Sequence, residues 1–195
     1  MAIADVGQTI LTVLWQEMQG DTNVNTLVDN EDRLSLQSPA DLQNDDSVRL
    51  SVYLYRIVED PHTKNRGPIQ NPDGTVRKAP LTLDLYYMLT PLLGQPREQQ
   101  IVLGKTMQVL YDRASFEGAD LQGSLAGGDP VRIVLNPVTL EETTRVWQAL
   151  ELSYRLSVCY IARIVIVDSN LEQFVQPILS RTGTFGQSRK EPVLS

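Results

Sequence analysis

The sequence is poor in the side chains on which most enzyme mechanisms depend. Its 195 residues include one cysteine, Cys159, and one histidine, His62. One cysteine excludes an intrachain disulfide and a multi-cysteine zinc site, and the alternating pattern around Cys159 favours a small buried residue over a nucleophile. His62 lies beside Pro61 and Lys64 in a polar stretch, where a histidine is usually solvated and inactive.

Metal and phosphate motifs are missing as well. Asp41, Asp45 and Asp46 lack the spacing of an EF-hand, which indicates a solvated acidic loop instead of a calcium site. The glycine-rich stretch 118–128 has no lysine followed by serine or threonine, so we interpret it as a mobile connection and not as a phosphate loop. We therefore expect no catalytic residue, no cofactor, no metal ion and no small-molecule substrate.

Positive charge and long apolar runs are scarce too. A net charge of −7 argues against nucleic acid as a partner and against direct contact with an anionic membrane. The longest strongly apolar run, 161–167, is far too short to span a bilayer as a helix, and the N-terminal segment lacks the basic start of a signal peptide. With 42% hydrophobic and 21% charged residues, we expect a folded cytoplasmic protein.

Alternation of apolar and polar residues predicts four main strands. The clearest is 48–58, which places valines and leucines on one side and tyrosines on the other. The loop after it is rich in proline, glycine and asparagine, so this strand and the next are predicted to form an extended hairpin. The last strand turns apolar on both faces, which indicates cover on both sides by a helix or another subunit. The other main strands are predicted at 81–89, 131–135 and 154–167, with short strands left open at 24–28 and 33–36.

Helical spacing is found in three segments. Residues 5–19 carry one apolar stripe, for which Asp5 is the predicted N-cap and Gly20 the left-handed stop. A second helix is predicted from Pro96 to Tyr111. The third begins at a capping box formed by Thr139 and Glu142. The apolar stripe of the first helix is Val6, Ile10, Val13, Leu14 and Met18, and that of the third is Leu140, Thr143, Trp147 and Leu150.

The segment after Asp168 is the least regular part of the chain. The spacing of Leu171, Phe174, Val175 and Ile178 favours one or two helical turns, and the last fifteen residues have the composition of a flexible tail. We expect residues 1–168 to form one α/β domain, with 169–195 as a C-terminal extension or arm.

Candidate partner-binding residues fall in two places. Lys64, Arg66, Arg77 and Lys78 are the one cationic feature of an acidic chain, and they suit either docking onto an acidic surface or a solvated loop tip. The sequence leaves both readings open. The doubly apolar strand adds Ile164 and Ile166, and the segment after it adds Phe174.

Several blocks in matching order resemble one known family. After the opening AIADV (2–6) come RLSVYLYRIVEDPHTKNR (49–66), PLTLDLYYMLT (80–90), LGKTMQVLYD (103–112), LEETTRVWQAL (140–150) and YRLSVCY (154–160). Together they resemble the cap, or tail-terminator, family of extracellular contractile injection systems. That family includes the antifeeding-prophage and Photorhabdus virulence cassette types.

The resemblance implies a structural protein and not an enzyme. Its expected fold is an α+β domain, a mainly antiparallel or mixed sheet flanked by helices. Its expected role is a hexameric ring on the distal end of the inner tube and sheath that ends their polymerisation. The alternative within the same kind of particle is an adaptor or anchoring subunit without terminator activity. An enzymatic rival would be a hydrolase that uses acidic residues such as Asp84 and Asp112 without a histidine.

Overall fold

A computed structural model describes residues 1–62, 67, 69–70, 75–168 and 172–174. The chain divides into a larger unit, residues 1–66 and 80–168, and a smaller unit, residues 67–79 and 169–195. The helices are α1 (Ala2–Gln19), α2 (Pro96–Asp112) and α3 (Leu140–Ala149). The strands are β1 (Leu34–Ser35), β2 (Leu50–Glu59), β3 (Ile69–Gln70), β4 (Thr75–Arg77), β5 (Leu81–Pro91), β6 (Ser115–Phe116), β7 (Val131–Asn136), β8 (Val158–Val167) and β9 (Glu172–Phe174).

The larger unit is built on one six-stranded sheet. Its strand order is β1-β2-β5-β8-β7-β6, and every neighbouring pair is antiparallel except the short parallel pair of β1 and β2. The predicted hairpin is confirmed, since β2 and β5 pair from Leu50 opposite Pro91 to Glu59 opposite Leu83. The pairing register shifts once between β2 and β5, with the extra residue in β2, and once between β5 and β8, with the extra residue in β8. Such bulges increase twist and bend a sheet. The expected α+β fold class, a mixed sheet flanked by helices, is confirmed.

The inner face of this sheet carries the main core. Helices α1 and α2 lie on it, and the predicted apolar stripe of α1 is fully buried there. The predicted N-cap of α1 at Asp5 and the predicted left-handed conformation of Gly20 are both wrong. The helix begins at Ala2, so Asp5 lies inside the first turn, where its carboxylate binds the loop at Ser124. Gly20 ends the helix with φ −76°, an ordinary right-handed conformation.

The outer face of the sheet is covered in part by α3. Trp147 is fully buried there against Met88 and Cys159, which confirms the buried reading of that cysteine. The capping box is also confirmed: the amide of Glu142 donates to the Thr139 hydroxyl, and the Glu142 carboxylate accepts from the Thr139 amide. Leu140 does not join the buried stripe. It is 68% exposed, because a helix of ten residues turns only one narrow face toward the sheet.

Three further sequence expectations need correction. Strand β8 begins at Val158 and not at residue 154, and the ring of Tyr154 packs edge-on against Trp147 of α3. Residues 24–28 form turns, held by local backbone bonds from Val24 and Asn25 to Asp21, so no strand is found there. The segment 33–36 supplies the two-residue strand β1.

The smaller unit contains a three-stranded antiparallel sheet. Its order is β3-β4-β9, with Thr75 opposite Phe174 and Arg77 opposite Glu172. The helical turn predicted around Phe174 is therefore wrong, because the backbone of Glu172–Phe174 pairs with β4 instead. Leu171, Val175, Ile178 and the predicted flexible tail lie outside the described residues.

Candidate interaction surface

The side chains considered for catalysis do not form a constellation in the described part of the chain. His62 lies exposed in a turn beyond the end of β2, and Cys159 is 2% exposed, with burial raising the pKa of its thiol. Within the described ranges no group of histidine, cysteine, aspartate or glutamate side chains is placed to hold a metal ion. None of the helices described here is both long and apolar enough to cross a membrane.

The predicted partner-binding residues are not brought together into one described site. Lys64 and Arg66 lie outside the described residues, whereas Arg77 ends β4 half-buried and Lys78 follows it exposed. Ile166 is half-buried in β8, and the side chain of its strand neighbour Ile164 is not among those described. Phe174 belongs to β9.

A first cleft, which we call the aromatic cleft, lies between α3 and the outer face of the sheet. It has a volume of about 710 Å³. Tyr53, Tyr55 and Tyr86 line its sheet side, as the tyrosine face of the predicted strand suggested. The rings of Tyr55 and Tyr86 meet edge-to-face, with their centroids 6.2 Å apart. Burial raises the pKa of the Tyr55 hydroxyl well above its usual range, so this hydroxyl stays neutral at any physiological pH.

The charges around the aromatic cleft are only partly paired. Arg145 pairs with Glu141 one helical turn away at 2.6 Å, and bonds from Thr139 lower the pKa of Glu142. Arg56 differs from both. Its guanidinium lies 5.1 Å from the centre of the Tyr86 ring, and no carboxylate of the described residues approaches within salt-bridge distance. Arg56 is thus exposed beside the cleft and forms no salt bridge with the described residues.

An exposed apolar patch, which we call the end patch, lies where β7 ends and α3 begins. Leu135, Leu140 and Tyr154 surround a second cleft of about 340 Å³. They are 47%, 68% and 46% exposed. Sequence analysis missed this patch because Leu135 fits the alternation of a predicted strand and Leu140 fits the apolar stripe of a predicted helix. The available signal was Pro137, which stops the sheet in the middle of an apolar segment.

A third cleft, which we call the α1–β2 cleft, lies on the opposite face of the sheet. It has a volume of about 350 Å³ and walls that are almost entirely apolar. The first two turns of α1 form one wall, Val52 and Leu54 of β2 form the other, and Leu36 stands beside them just past β1. Tyr87 also lines it. The Tyr87 hydroxyl is buried without a hydrogen-bond partner among the described residues, and burial raises its pKa.

Comparison with known proteins identifies the family. The model of the Pvc16 N-terminal domain family matches residues 5–181, which is most of the chain. The chain belongs to the Pvc16 N-terminal domain family. No protein with a curated description matches it.

Two solved structures show the same fold as this family member. One is the sheath/tube terminator of an extracellular contractile injection system, PVC, in the extended state, with a TM-score of 0.65 and 19% identity. The other is the tube-terminating cap of the anti-feeding prophage, with a TM-score of 0.53 and 22% identity. The alignments cover 96% and 77% of this chain. They cover 64% and 55% of those chains, so this chain spans less than two thirds of either relative.

The N-terminal end of this Pvc16-type domain is tied to the glycine-rich connection. Ser124 donates from its amide to the Asp5 carboxylate at 2.9 Å and from its hydroxyl at 2.5 Å. These bonds, with the Met1 amine 2.9 Å away, lower the pKa of Asp5 to about 2. Gly123 has φ +58°, and a Cβ there would lie 2.7 Å from the Asp5 carboxyl carbon. The loop is therefore held against α1, beside one wall of the α1–β2 cleft.

Proposed function

We propose that this protein is a structural cap that ends the polymerisation of the inner tube and sheath of a contractile injection particle. The observation that carries the proposal is the likeness of its fold, over 96% of the chain, to a sheath/tube terminator. The family match over residues 5–181 and the second likeness to a tube-terminating cap support the same role.

The proposed partners are other copies of the chain and the tube and sheath subunits. A cap seated on a six-fold tube acts as a hexameric ring, and such a ring closes through contacts between two different patches of neighbouring subunits. The end patch and the aromatic cleft suit such contacts, because exposed leucines and tyrosines are typical of interface cores. The protein acts by binding and not by catalysis, and assembly takes place in the cytoplasm.

The residues proposed from sequence give a narrower hypothesis about docking. Lys64, Arg66, Arg77 and Lys78 contact an acidic surface of a tube or sheath subunit, and Ile164, Ile166 and Phe174 add apolar contacts. In the same hypothesis residues 169–195 act as an arm on the domain formed by 1–168. Removing 60–79 and, separately, 169–195 should weaken binding to purified tube or sheath. Unchanged binding of both deletions would disprove this hypothesis.

The cap role is tested by electron microscopy of particles assembled without this protein. Loss of a terminator should give tubes and sheaths of uncontrolled length, and adding the protein back should restore a fixed length. Particles of normal length that are no longer anchored would favour the adaptor role instead. Normal particles in every respect would refute both. Asp84→Asn and Asp112→Asn test the alternative that the protein is a hydrolase. We expect these substitutions to alter folding or assembly and to have no effect on any enzymatic turnover.

A further inference from the structure

The aromatic cleft owes part of its lining to the bulge in β2. Successive residues of a regular strand point to opposite faces of the sheet. Tyr55 is the extra residue of the bulge, because Leu54 and Arg56 pair with consecutive residues of β5. Tyr55 and Arg56 are therefore neighbours in sequence that both line the cleft on the outer face. Bulges that redirect a side chain in this way are common beside functional sites.

The charged groups of the cleft differ in how far they are already engaged. Arg145 is paired with Glu141 on its own helix, and the carboxylate of Glu142 accepts from the amide of Thr139. Arg56 lies over a tyrosine ring and forms no salt bridge with the described residues. An occupant that combines an aromatic ring with a carboxylate would pack on the tyrosines and pair with Arg56.

Tyr111, near the end of α2, offers that combination on the same chain. Its side chain is 84% exposed, and Asp112 follows it directly and is exposed as well. Among the large apolar side chains that are exposed in the described ranges, Tyr111 alone is followed by a carboxylate outside any ion pair. A tyrosine in solvent is a typical interface residue, since its ring packs and its hydroxyl stays polar.

Gly104 indicates independently that another surface approaches α2. It lies seven residues before Tyr111, almost two full turns, and thus on the same outward face of the helix. Glycine weakens a helix interior relative to alanine, yet a Cβ at Gly104 would meet no atom of this chain within 4 Å. The packing of the chain itself gives no reason for a glycine there. Close approach of a second surface gives one, because glycine lets two backbones come near each other.

The two surfaces lie on different faces of one chain. Helix α2 packs on the inner face of the sheet, whereas the aromatic cleft opens on the outer face beside α3. A contact between them therefore joins two copies, and each copy contributes a different patch. Contacts of this kind close into a ring when the rotation between neighbours allows it.

We propose that the end of α2 of one copy docks into the aromatic cleft of the next copy. The ring of Tyr111 packs among the tyrosines of the cleft, the carboxylate of Asp112 pairs with Arg56, and the surface at Gly104 lies close against the neighbour. This inference rests on the proposed cap function, and it names the two patches through which copies of the chain meet.

The first experiment measures self-association of the full chain by sedimentation velocity. Arg56→Asp and Asp112→Arg each place like charges across the contact, so each variant alone should associate about tenfold more weakly than the unchanged chain. In an equimolar mixture every contact between unlike copies joins opposite charges, so association should return to within about threefold of the unchanged chain. A mixture that associates no better than the separate variants would overturn the inference.

A matched control has the same change of charge elsewhere on α2. Glu98→Arg reverses a charge at the other end of the helix, about 21 Å from Asp112, and should leave self-association unchanged. Circular dichroism confirms that each variant is folded. If Glu98→Arg weakened association as much as Asp112→Arg, the effect would come from net charge, and the proposed contact would be wrong.

Two further variants separate the contact from folding. Gly104→Gln introduces a better helix former, so the melting temperature of the dilute chain should rise, whereas the added side chain should weaken association about tenfold. Tyr111→Ala should weaken association by a similar factor and leave the melting temperature nearly unchanged, because the ring is 84% exposed. Association as tight as that of the unchanged chain in both variants would contradict the proposal.

A photo-reactive side chain identifies the occupant of the cleft. Tyr111→benzoylphenylalanine, in a chain mixed with isotopically heavy copies, should cross-link to residues 53–56 or to α3 of another copy, both in solution and in assembled particles. A cross-link to a tube or sheath subunit instead would overturn the inference in favour of that partner. The absence of any cross-link between copies in both samples would overturn it as well.

Particle length separates this inference from the cap function. Particles assembled with Arg56→Asp or with Asp112→Arg alone should have uncontrolled length, and particles assembled with the mixture should have normal length. If only the complete absence of the protein changes particle length, the proposed contact fails while the cap function stands. If its absence changes nothing, the cap function fails, and the mixture and the cross-link still decide whether the contact exists.

Discussion

Trp147 is the main anchor of α3 on the outer face of the sheet. Only Thr143 and Trp147 are buried on this helix, and Trp147 is 0% exposed. Its indole N–H also donates to the Ser157 hydroxyl at 3.3 Å. Truncation to alanine removes a whole ring from a closed cluster and leaves a cavity, so we expect Trp147→Ala to lower the free energy of unfolding by about 3–5 kcal/mol.

The assay is urea unfolding followed by circular dichroism, because Trp147→Ala removes one of the two tryptophans of the chain and with it the fluorescence signal of α3. Trp15→Ala is the matched control. Trp15 is half-buried at the edge of the main core, and its loss should cost clearly less than that of Trp147.

The reactivity of the Cys159 thiol gives a second measurement, which reports locally on the packing of α3. It is buried directly against Trp147, and burial raises the pKa of its thiol, so the native chain should react slowly with a thiol reagent. Trp147→Ala should speed labelling at concentrations of urea too low to unfold the sheet. A loss of stability below about 1 kcal/mol with unchanged labelling would refute the view that one indole holds α3 in place.

Three further predictions concern single polar groups. Tyr87→Phe should raise the free energy of unfolding by about 1 kcal/mol, because it deletes a buried hydroxyl without a described partner. Thr139→Ala should lower it by about 1 kcal/mol through loss of the capping box, and Thr144→Ala on the same helix is the near-neutral control. Asp5 has a pKa lowered from 3.8 to about 2, so its stabilising contribution is complete above about pH 4 and is lost as the pH falls to about 2. Asp5→Asn should therefore flatten the decline of the melting temperature between those pH values.

The outcomes that would contradict these predictions differ from one to the next. Destabilisation by Tyr87→Phe would mean that the hydroxyl has a partner. If Thr139→Ala and Thr144→Ala lowered the free energy of unfolding equally, the capping box would make no special contribution to stability. An acid profile that is unchanged in Asp5→Asn would show that Ser124 does not hold the ionised carboxylate in solution.

The elements of the larger unit could be predicted from sequence because their patterns are local and strong. The apolar stripe of α1, the alternation of β2 and the capping box at Thr139 each follow from residues three or four positions apart, or two for the strand. The resemblance of the ordered blocks also identified the family that the match over 5–181 confirms.

The candidate surfaces could not be predicted, because they depend on where each helix and strand ends relative to its neighbour in the fold. The α1–β2 cleft exists since β1 pairs with only two residues of β2, and the end patch exists since α3 buries Trp147 and leaves Leu140 in solvent. Apolar residues in solvent and apolar residues in a core look alike in a sequence. Only the register and length of neighbouring elements separate them.

The central place of β5 has a consequence for how the chain is made. β5 is buried along nearly its whole length and pairs with β2, already synthesised, on one side and with β8 on the other. A ribosome adding about 5–20 residues per second needs several seconds to pass from β5 to the end of β8. During that interval the nascent chain exposes the edge of β5 that later pairs with β8. Such an edge can aggregate with other nascent chains made from the same messenger RNA. Fragments that end before Val158 should accordingly be insoluble, and slow translation between β5 and β8 should lower the yield of folded protein more than slow translation anywhere else.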